Sequence, residues 1–274
     1  MTTSRRGLWR WVAAAGCLVW CAAVLAGSTT AAATREPLRV LQMNLCNSGI
    51  AGCYTGRSVG EAAAVIRADR PRVVTLNEVC RQDVTTLARA LSDVGGGAVV
   101  SAFEAVRDRR TGGPFQCVNG QQYGIGLLVR TPSPYHSYVR YSGMYPRQNP
   151  ADPEERAWLC LKAVTQLYAC TTHLDSKSTA VALAQCRYLL NTAIPAVRVR
   201  GGYEPTVLGG DLNLREGHPP GARACVPAGY VHAGDGGAQQ VTATDDFAVG
   251  AYRPISMNGT TDHPSLLVTL VPGR

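Results

Sequence analysis

The sequence lacks an apolar run of the length that a transmembrane helix requires. The strongest candidate, Trp11 to Leu25, has fifteen residues, whereas a membrane span needs about 20. Arginines precede this run, and the small-residue stretch "AAATREP" follows it and offers a cleavage site after Ala33. Such an order is typical of a secretory signal peptide. We therefore predict a cleaved leader (residues 1–33), a mature protein of residues 34–274, and secretion; a retained membrane anchor is the alternative.

Lysine is almost absent, since Lys162 and Lys177 are the only two among 27 basic residues. The positive charge is therefore carried by arginine, whose guanidinium binds two phosphate oxygens at once. The net charge is +8 for the whole chain and +5 without the leader, which holds three arginines and no acid. A coding bias toward Ala, Gly and Arg explains the same composition, so the charge alone does not establish a nucleic-acid partner.

There is no CxxC pair and no cysteine–histidine cluster with ligand spacing, which argues against a structural zinc site. Eight cysteines follow the leader, and an even number in an exported chain predicts disulfide bonds. Cys46 and Cys53 flank the loop "NSGIAG", while Cys160 and Cys170 lie on two consecutive strand-like runs. We predict these two bonds and leave the pairing of the other four cysteines open.

The mature sequence also lacks a linker, an internal repeat or a low-complexity segment, which favours one domain. Strand-like runs such as "LRVLQMNLC" and "RVVTLNEV" alternate with helical patterns in "SVGEAAAVIRADRP" and "DVTTLARAL". A hairpin formed by "RAWLCLKAV" and "QLYACTTHL" follows, and "TATDDFAVG" and "HPSLLVTLV" are predicted to close the chain as strands. This mixture predicts an α/β fold in which helices cover mixed sheets. Ser58 and Glu61 have the spacing of a helix capping box.

Polar residues end or interrupt the apolar runs. In "TVLGGDLNL", Asp211 and Asn213 lie two residues apart and so point the same way from an extended chain. Gly209 and Gly210 before them either admit a ligand or relieve packing. Comparable polar residues stand at the ends of the other runs: Asn44, Glu78, His173, Asp245, Asp246, Asp262 and His263. Each has an ordinary role in turns or capping when taken alone, but together they indicate a site at the strand ends.

The series "MNLC", "NEVC", "TTHLD", "GGDLN", "TDDF" and "TDHP" resembles the endonuclease/exonuclease/phosphatase superfamily, which includes deoxyribonuclease I and secreted sphingomyelinases. The resemblance runs from about Leu38 to the C-terminus, and "GDLN" and the terminal "DH" are its most specific parts. It implies a four-layer α/β sandwich of two packed mixed β-sheets flanked by helices. The active site is expected where strand ends of both sheets meet.

Phosphodiester cleavage needs charge stabilisation at the phosphate, which a hard divalent cation supplies through oxygen ligands. Magnesium takes few protein carboxylates and keeps several waters. Glu78 is accordingly the first expected ligand, with Asn44 beside it and Asp262 as a further one. We expect Mg²⁺ or Mn²⁺, with Ca²⁺ as an alternative, and leave open whether one or two ions bind.

A general base must change its protonation near neutral pH, and His263 has the side chain best suited to this. The resemblance assigns the carboxylate that orients this histidine to Asp245, with the adjacent Asp246 ranked second. The resemblance also implies that Asp211 positions or deprotonates the attacking water.

The resemblance also implies phosphate contacts from Asn213, through its amide, and from His173 on the other sheet. Arg156 matches an arginine that binds a phosphate oxygen in many relatives. A surface salt bridge from Arg156 to Glu154 or Glu155 is an equal alternative.

For the substrate we predict DNA and hence an endonuclease. Arg81 follows the expected metal-binding glutamate, and Arg107, Arg109 and Arg110 lie in a long polar loop where they would meet a DNA backbone. No protein partner is expected, and the protein is taken as a monomer.

Two other enzyme functions stay open. One is a sphingomyelinase-type phospholipid phosphodiesterase that uses membrane lipid, with tyrosines on an exposed hairpin: Tyr135, Tyr138, Tyr141 and Tyr145. The other is a small-molecule phosphatase. A binding module without catalysis is disfavoured because every site residue of the series is present.

The leader can be tested directly. After export from a secreting host, the mature protein is expected to begin at Thr34, because the cleavage site follows Ala33. Intact-mass measurement and N-terminal sequencing of the medium fraction check this. An uncleaved chain held in the membrane fraction would establish the anchor instead.

Overall fold

A computed structural model describes residues 36–131, 137–163 and 167–273. The predicted leader (residues 1–33) lies outside the described residues and stays a prediction. Residues Arg35–Arg274 form a compact unit. Within the described ranges, no helix has the length and apolar character needed to cross a membrane.

The first sheet is mixed and has six strands in the described chain, with β1 and β2 parallel and the other neighbours antiparallel. In spatial order they are β13 (Phe247–Ile255), β14 (Ser265–Pro272), β1 (Leu38–Asn44), β2 (Val73–Cys80), β5 (Tyr123–Thr131) and β3 (Ala98–Ala105).

The second sheet also has six described strands, and its one parallel pair joins β9 to β10. In spatial order they are β11 (Tyr230–Gly234), β12 (Gln239–Thr244), β10 (Thr206–Asp211), β9 (Leu167–His173), β8 (Ala157–Ala163) and β6 (Tyr138–Met144). A small ladder pairs β4 (Arg107–Asp108) with β7 (Glu154–Glu155).

Helices cover the outer face of each sheet. The apolar faces of α1 (Ser58–Asp69) and α2 (Arg81–Ser92) pack on the first sheet, as the spacing of Val84, Leu87 and Leu91 predicts. On the second sheet lie α3 (Thr179–Tyr188) and α4 (Ile194–Gly201), which a π-helical turn joins. The inner faces of the two sheets share a separate apolar core. The four-layer sandwich is therefore confirmed.

The residues that lie between the two sheets change from apolar to polar along the strands. Far from the site the sheets meet through aliphatic side chains such as Val40, Val73 and Val241. Two residues further along β1 and β2, on the same face, stand the fully buried Gln42 and Thr75. The apolar core therefore gives way to a polar one as the strands approach their carboxyl ends.

Two local predictions fail. The first helix has Arg57 as its N-cap without a side-chain bond, and Glu61 instead accepts from Asn258 at 2.8 Å, so the capping box is wrong. The stretch "TATDDFAVG" is not one strand. It contains the end of β12, a turn at Asp245–Asp246 and the start of β13.

Four disulfide bonds are present in the described chain. Both predicted pairs, Cys46–Cys53 and Cys160–Cys170, are confirmed. The remaining cysteines pair as Cys80–Cys117 and Cys186–Cys225. Two of these bonds start close after predicted site residues, because Cys46 follows Asn44 and Cys80 follows Glu78 by two positions.

The glycines of "TVLGGDLNL" relieve packing. A Cβ on Gly209 would overlap Thr75 Oγ1 of the facing sheet, and one on Gly210 would overlap the carbonyl oxygen of Thr172 on β9. Both overlaps lie within the fold, so close approach of strands explains this pair of glycines.

Gly209→Ala is expected to lower the free energy of unfolding by roughly 1–3 kcal/mol, because overpacking forces the facing side chain to move. Urea denaturation measures the change. Gly60→Ala is the matched control: a Cβ at this helical position meets no atom within 4 Å, and alanine there is expected to be neutral or stabilising. Equal stability of the two variants would contradict the packing explanation.

Candidate active site

The predicted polar residues meet at one edge of the sandwich. Asn44 ends β1, His173 ends β9 and Asp211 ends β10. His263 lies just before β14, whose start pairs near the end of β1 through Leu266 and Gln42. Because β1 and β2 are parallel to each other, as are β9 and β10, their carboxyl ends converge.

Asn44 links the two sheets at this edge. Its Nδ2 donates to Glu78 Oε1 at 2.8 Å on its own sheet and to Asp211 Oδ2 at 3.0 Å on the other. Its Oδ1 accepts from the backbone N–H of Cys46 at 3.1 Å. One buried amide therefore holds two carboxylates from different sheets beside each other.

Glu78 is presented by a distorted backbone. The register of β2 against β5 shifts between Leu76 and Val79, so a bulge contains Glu78, whose φ is +54°. Asn213 has a φ of +50°. Non-glycine residues in this region cost about 1–3 kcal/mol each, and bulges re-aim side chains beside active sites.

The carboxylates are crowded and mostly buried. Burial raises the pKa of Glu78, against its hydrogen bond from Asn44, and the neighbouring Asp211 and Asp262 raise it further. Burial alone would raise the pKa of Asp211 as well, but the facing histidines and the amides of Asn44 and Gln239 lower it. The edge thus collects negative charge.

The two histidines stand on either side of this cluster. His263 Nε2 lies 3.6 Å from Asp211 Oδ2 and 3.7 Å from Asp262 Oδ2, distances of an ion pair rather than a hydrogen bond. His173 Nε2 lies 4.0 Å from Glu78 Oε1. Burial and the nearby Arg156 guanidinium lower the pKa of His173 to about 3, so its imidazole is neutral at pH 7.

The amide of Asn213 is partly engaged. Its Nδ2 donates to the Leu174 carbonyl at 3.0 Å, and its backbone N–H donates to Asp211 Oδ1 at 3.2 Å. The strand ends at Asp211 and Asn213 follows in a left-handed conformation, so the two side chains do not leave one extended strand together; Asn213 contacts Asp211 through its backbone N–H.

Arg156 is not presented as a phosphate ligand. Its side chain is 3% exposed and pairs with Asp152 at 3.1 Å and Glu154 at 3.0 Å. The salt-bridge alternative is the one observed, although the pair is buried rather than on the surface. The guanidinium still acts at a distance, since it lowers the pKa of His173.

The pairing of Asp245 with His263 is wrong. Asp245 is exposed in the turn between β12 and β13, where its N–H donates to Gly229. From that turn β13 runs nine residues, roughly 30 Å, before Ile255 pairs with Ser265 near His263. Asp246 fails for the same reason, and its carboxylate accepts from Tyr203 and Thr244.

Gln239, the first residue of β12, stands where an orienting acid was expected. It pairs with Asp211 in the ladder, and its Nε2 donates to Asp211 Oδ2 at 2.8 Å. It belongs to a buried amide network that the sequence did not single out: Gln42, Thr75, Asn77, Gln239 and Asp211. The available signal was a polar residue inside an apolar run, as in "VLQMN" and "TLNEV".

The donor set fits a hard divalent cation. Glu78 and Asp262 offer carboxylate oxygens, the ligand type that Mg²⁺ and Mn²⁺ prefer. Asn44 turns its NH₂ group toward Glu78 and Asp211, so its only atom able to bind a cation is Oδ1, which accepts from the Cys46 N–H. The disulfide sulfurs of Cys46 and Cys53 lie within 4.8 Å of the Asp262 carboxylate, but as a disulfide they are not thiolate ligands. A bound cation would relieve the crowding of Glu78 with Asp211 and Asp262.

The chain has the endonuclease/exonuclease/phosphatase fold. It is similar to the crystal structure of an endonuclease/exonuclease/phosphatase from Beutenbergia cavernae, with a TM-score of 0.63 and 22% identity over 87% of this chain and 72% of that chain. It is also similar to a mannosyl-6-phosphatase from Bacteroides thetaiotaomicron, with a TM-score of 0.60 and 15% identity over 85% and 99% of the two chains.

A third similar structure is the human Nocturnin catalytic domain with bound sulfate, with a TM-score of 0.59 and 16% identity over 88% of this chain and 95% of that chain. No protein-family model matches the sequence, and no curated protein matches it. The likeness to solved structures confirms the fold that the motifs implied.

Replacing Glu78 by glutamine tests cation binding separately from catalysis. The variant removes one negative charge from the donor set, so we expect the dissociation constant for Mn²⁺ to rise at least about tenfold. Isothermal titration calorimetry measures it. Asp245→Asn removes the same charge at the remote turn and is expected to bind like the wild type; a matching loss in both variants would show a general charge effect.

Proposed function

We propose that this protein is a metal-dependent hydrolase of phosphoric esters. The observation that carries the proposal is the convergence of Asn44, Glu78 and Asp211 at the edge shared by the two sheets, with a histidine on either side. The fold supports it, since one similar structure is a phosphatase by name.

A divalent cation held by Glu78, Asp262 and Asn44 would supply positive charge against the phosphate oxygens. His263 would accept the proton of the attacking water, and the adjacent Asp211 carboxylate would stabilise the imidazolium that results. Asp211 Oδ1 accepts from the Asn213 backbone N–H and Oδ2 accepts from the Gln239 amide, and the carboxylate held in this way would also orient the attacking water.

The other face of the phosphate would meet neutral donors. His173 is neutral at pH 7 because burial lowers its pKa, so it would donate one N–H to a phosphate oxygen. Asn213 would donate from its side-chain amide. Donors aimed at developing charge in a buried site contribute several kcal/mol to catalysis.

For the substrate we propose DNA, cut as an endonuclease, and the arginine surplus supports this. The loop arginines are more neutralised than the sequence indicated: Arg107 and Arg109 pair with Glu155, and Arg110 pairs with Asp108. Arg81 is bound to Gln122 and lies over the Phe103 ring. The side chains of Arg107 and Arg110 remain more than half exposed and could exchange these partners for phosphates.

A lipid phosphodiester is the second candidate, but not through the predicted hairpin. Tyr135 lies outside the described residues. Tyr138 pairs with Ala163, at the opposite end of the second sheet from His173, and Tyr145 is buried. A lipid substrate is favoured instead by exposed aliphatic residues on two loops beside the site.

Two disulfide-anchored loops beside the site carry exposed aliphatic residues. Ile50 is 59% exposed and Val118 is 72% exposed. The loops contact each other, because the Val118 N–H donates to the Ser48 carbonyl at 2.9 Å. Cys46–Cys53 and Cys80–Cys117 hold them. Such a rim would suit the apolar part of a lipid substrate.

Supercoiled plasmid with Mg²⁺ tests the proposed function in the exported, oxidised protein. We expect nicking that EDTA abolishes and that falls at least about 100-fold in His263→Ala, which removes the base, and in Asp211→Asn, which removes the carboxylate that would stabilise the imidazolium. Asp245→Asn should keep wild-type activity within about twofold, since the turn is remote from the site.

Sphingomyelin vesicles and p-nitrophenyl phosphate are assayed in parallel with plasmid. Hydrolysis of only one of these, with the same variant pattern, would keep the site and replace DNA as the substrate. If the folded wild-type protein hydrolyses none of the three with Mg²⁺ or Mn²⁺, the proposed function is wrong.

A further inference from the structure

The carboxylate of Asp211 is held by an amide from its own sheet. Gln239 is fully buried, and its Nε2 lies 2.8 Å from Asp211 Oδ2. Asn44 donates to the same oxygen at 3.0 Å from the other sheet. Oδ2 is also the oxygen that lies 3.6 Å from His263 Nε2. Two N–H donors thus fix the atom that faces the expected general base.

The orientation of these amides follows from backbone groups. The N–H of Asp211 donates to Asn77 Oδ1 at 2.7 Å, and Asn77 Nδ2 donates to the carbonyls of Thr172 at 3.0 Å and Leu76 at 3.1 Å. A backbone N–H only donates and a carbonyl only accepts. The oxygen and nitrogen of Asn77 therefore cannot be exchanged.

The same reasoning continues through Gln42. Its Nε2 lies 2.7 Å from Asn77 Oδ1, which requires a donor there, and 2.9 Å from Gln239 Oε1. Its Oε1 accepts from the Thr75 hydroxyl at 2.5 Å. Gln239 must then turn its oxygen to Gln42 and its NH₂ group to Asp211. Backbone groups on β2, β9 and β10 thereby determine which group of Gln239 faces the site.

We propose that Gln239 is a positioning residue, which holds the Asp211 carboxylate against His263 and makes Asp211 the acid partner of this histidine. The proposal rests on the proposed function. It assigns to Asp211 and Gln239 together the orienting role that the sequence had given to Asp245.

A neutral donor suits this position better than an acid. Glu78, Asp211 and Asp262 already crowd the edge with negative charge. A carboxylate at position 239 would face Asp211 inside a buried network, where like charges repel strongly and neither can be hydrated. An amide offers the same length, accepts from Gln42 and donates to Asp211 without adding charge.

Gln239→Met is the central variant, and Gln240→Met is its matched control. Gln240 is the next residue of β12 and is equally buried, but it points to the opposite face, where it bonds to Gly237 at 2.8 Å and His232 at 2.7 Å. Each substitution removes one buried amide of the same shape from the same strand. We expect similar losses of Tm in the two variants.

The kinetic results should differ. In Gln239→Met we expect kcat to fall about 10–100-fold with KM changed less than about threefold, the usual size for a residue that orients another. Gln239→Glu should fall further, because its carboxylate faces Asp211. Gln240→Met should keep kcat within about twofold. Equal kcat in Gln239→Met and Gln240→Met would overturn the proposal while leaving the hydrolase function intact.

A second measurement needs no substrate. In the ¹⁵N spectrum of the exported protein, the side-chain NH₂ of Gln239, assigned from its loss in Gln239→Met, should exchange slowly with solvent. Its resonance should shift in Asp211→Asn and stay unchanged in Asp245→Asn. Fast exchange, or no shift in Asp211→Asn, overturns the Gln239–Asp211 contact. If no phosphoester is hydrolysed but these signals behave as expected, the proposed function fails and the contact stands.

Discussion

The site depends on complete pairing of amides buried between the two sheets. An unpaired amide in such a place costs about 1–3 kcal/mol, so every member of the network must find its partner at once. Asn77, on β2 of the first sheet, hydrogen-bonds to the backbone of β9 and β10, and these bonds fix the register of one sheet against the other. Once that register is set, Asn44 reaches both Glu78 and Asp211.

The loops around the site are held by covalent and steric constraints. Glu78 adopts a left-handed backbone conformation that is unfavourable for its residue type, whereas asparagine tolerates the same conformation at Asn213. Disulfides begin two residues after Asn44 and two residues after Glu78. They reduce the freedom of the unfolded chain and thereby offset part of the cost of the strained backbone. Gly209 lets Thr75 enter the space between the sheets and join the amide network.

Much of the fold could be predicted from local patterns. Apolar runs located β1, β2, β9 and β10, helical patterns located α1 and α2, and the loop flanked by Cys46 and Cys53 indicated its disulfide. The turn at Asp245–Asp246 was missed because the resemblance placed Asp245 at the head of a site strand, although adjacent acids favour a turn. Gln42 and Asn77 each interrupt an apolar run, but a neutral amide there does not indicate which group it faces, and Gln239 does not lie in such a run.

The sequence by itself determined the residue types of the site and their order along the chain, because polar residues follow the apolar runs at the points where strands end. It also determined the covering of mixed sheets by helices. Only the tertiary structure decided which carboxylate meets His263, how Arg156 is neutralised and why position 239 is an amide. These depend on contacts between strands up to 197 residues apart, as from Gln42 to Gln239, and the pattern along one strand contains no information about the residue that faces it across a sheet.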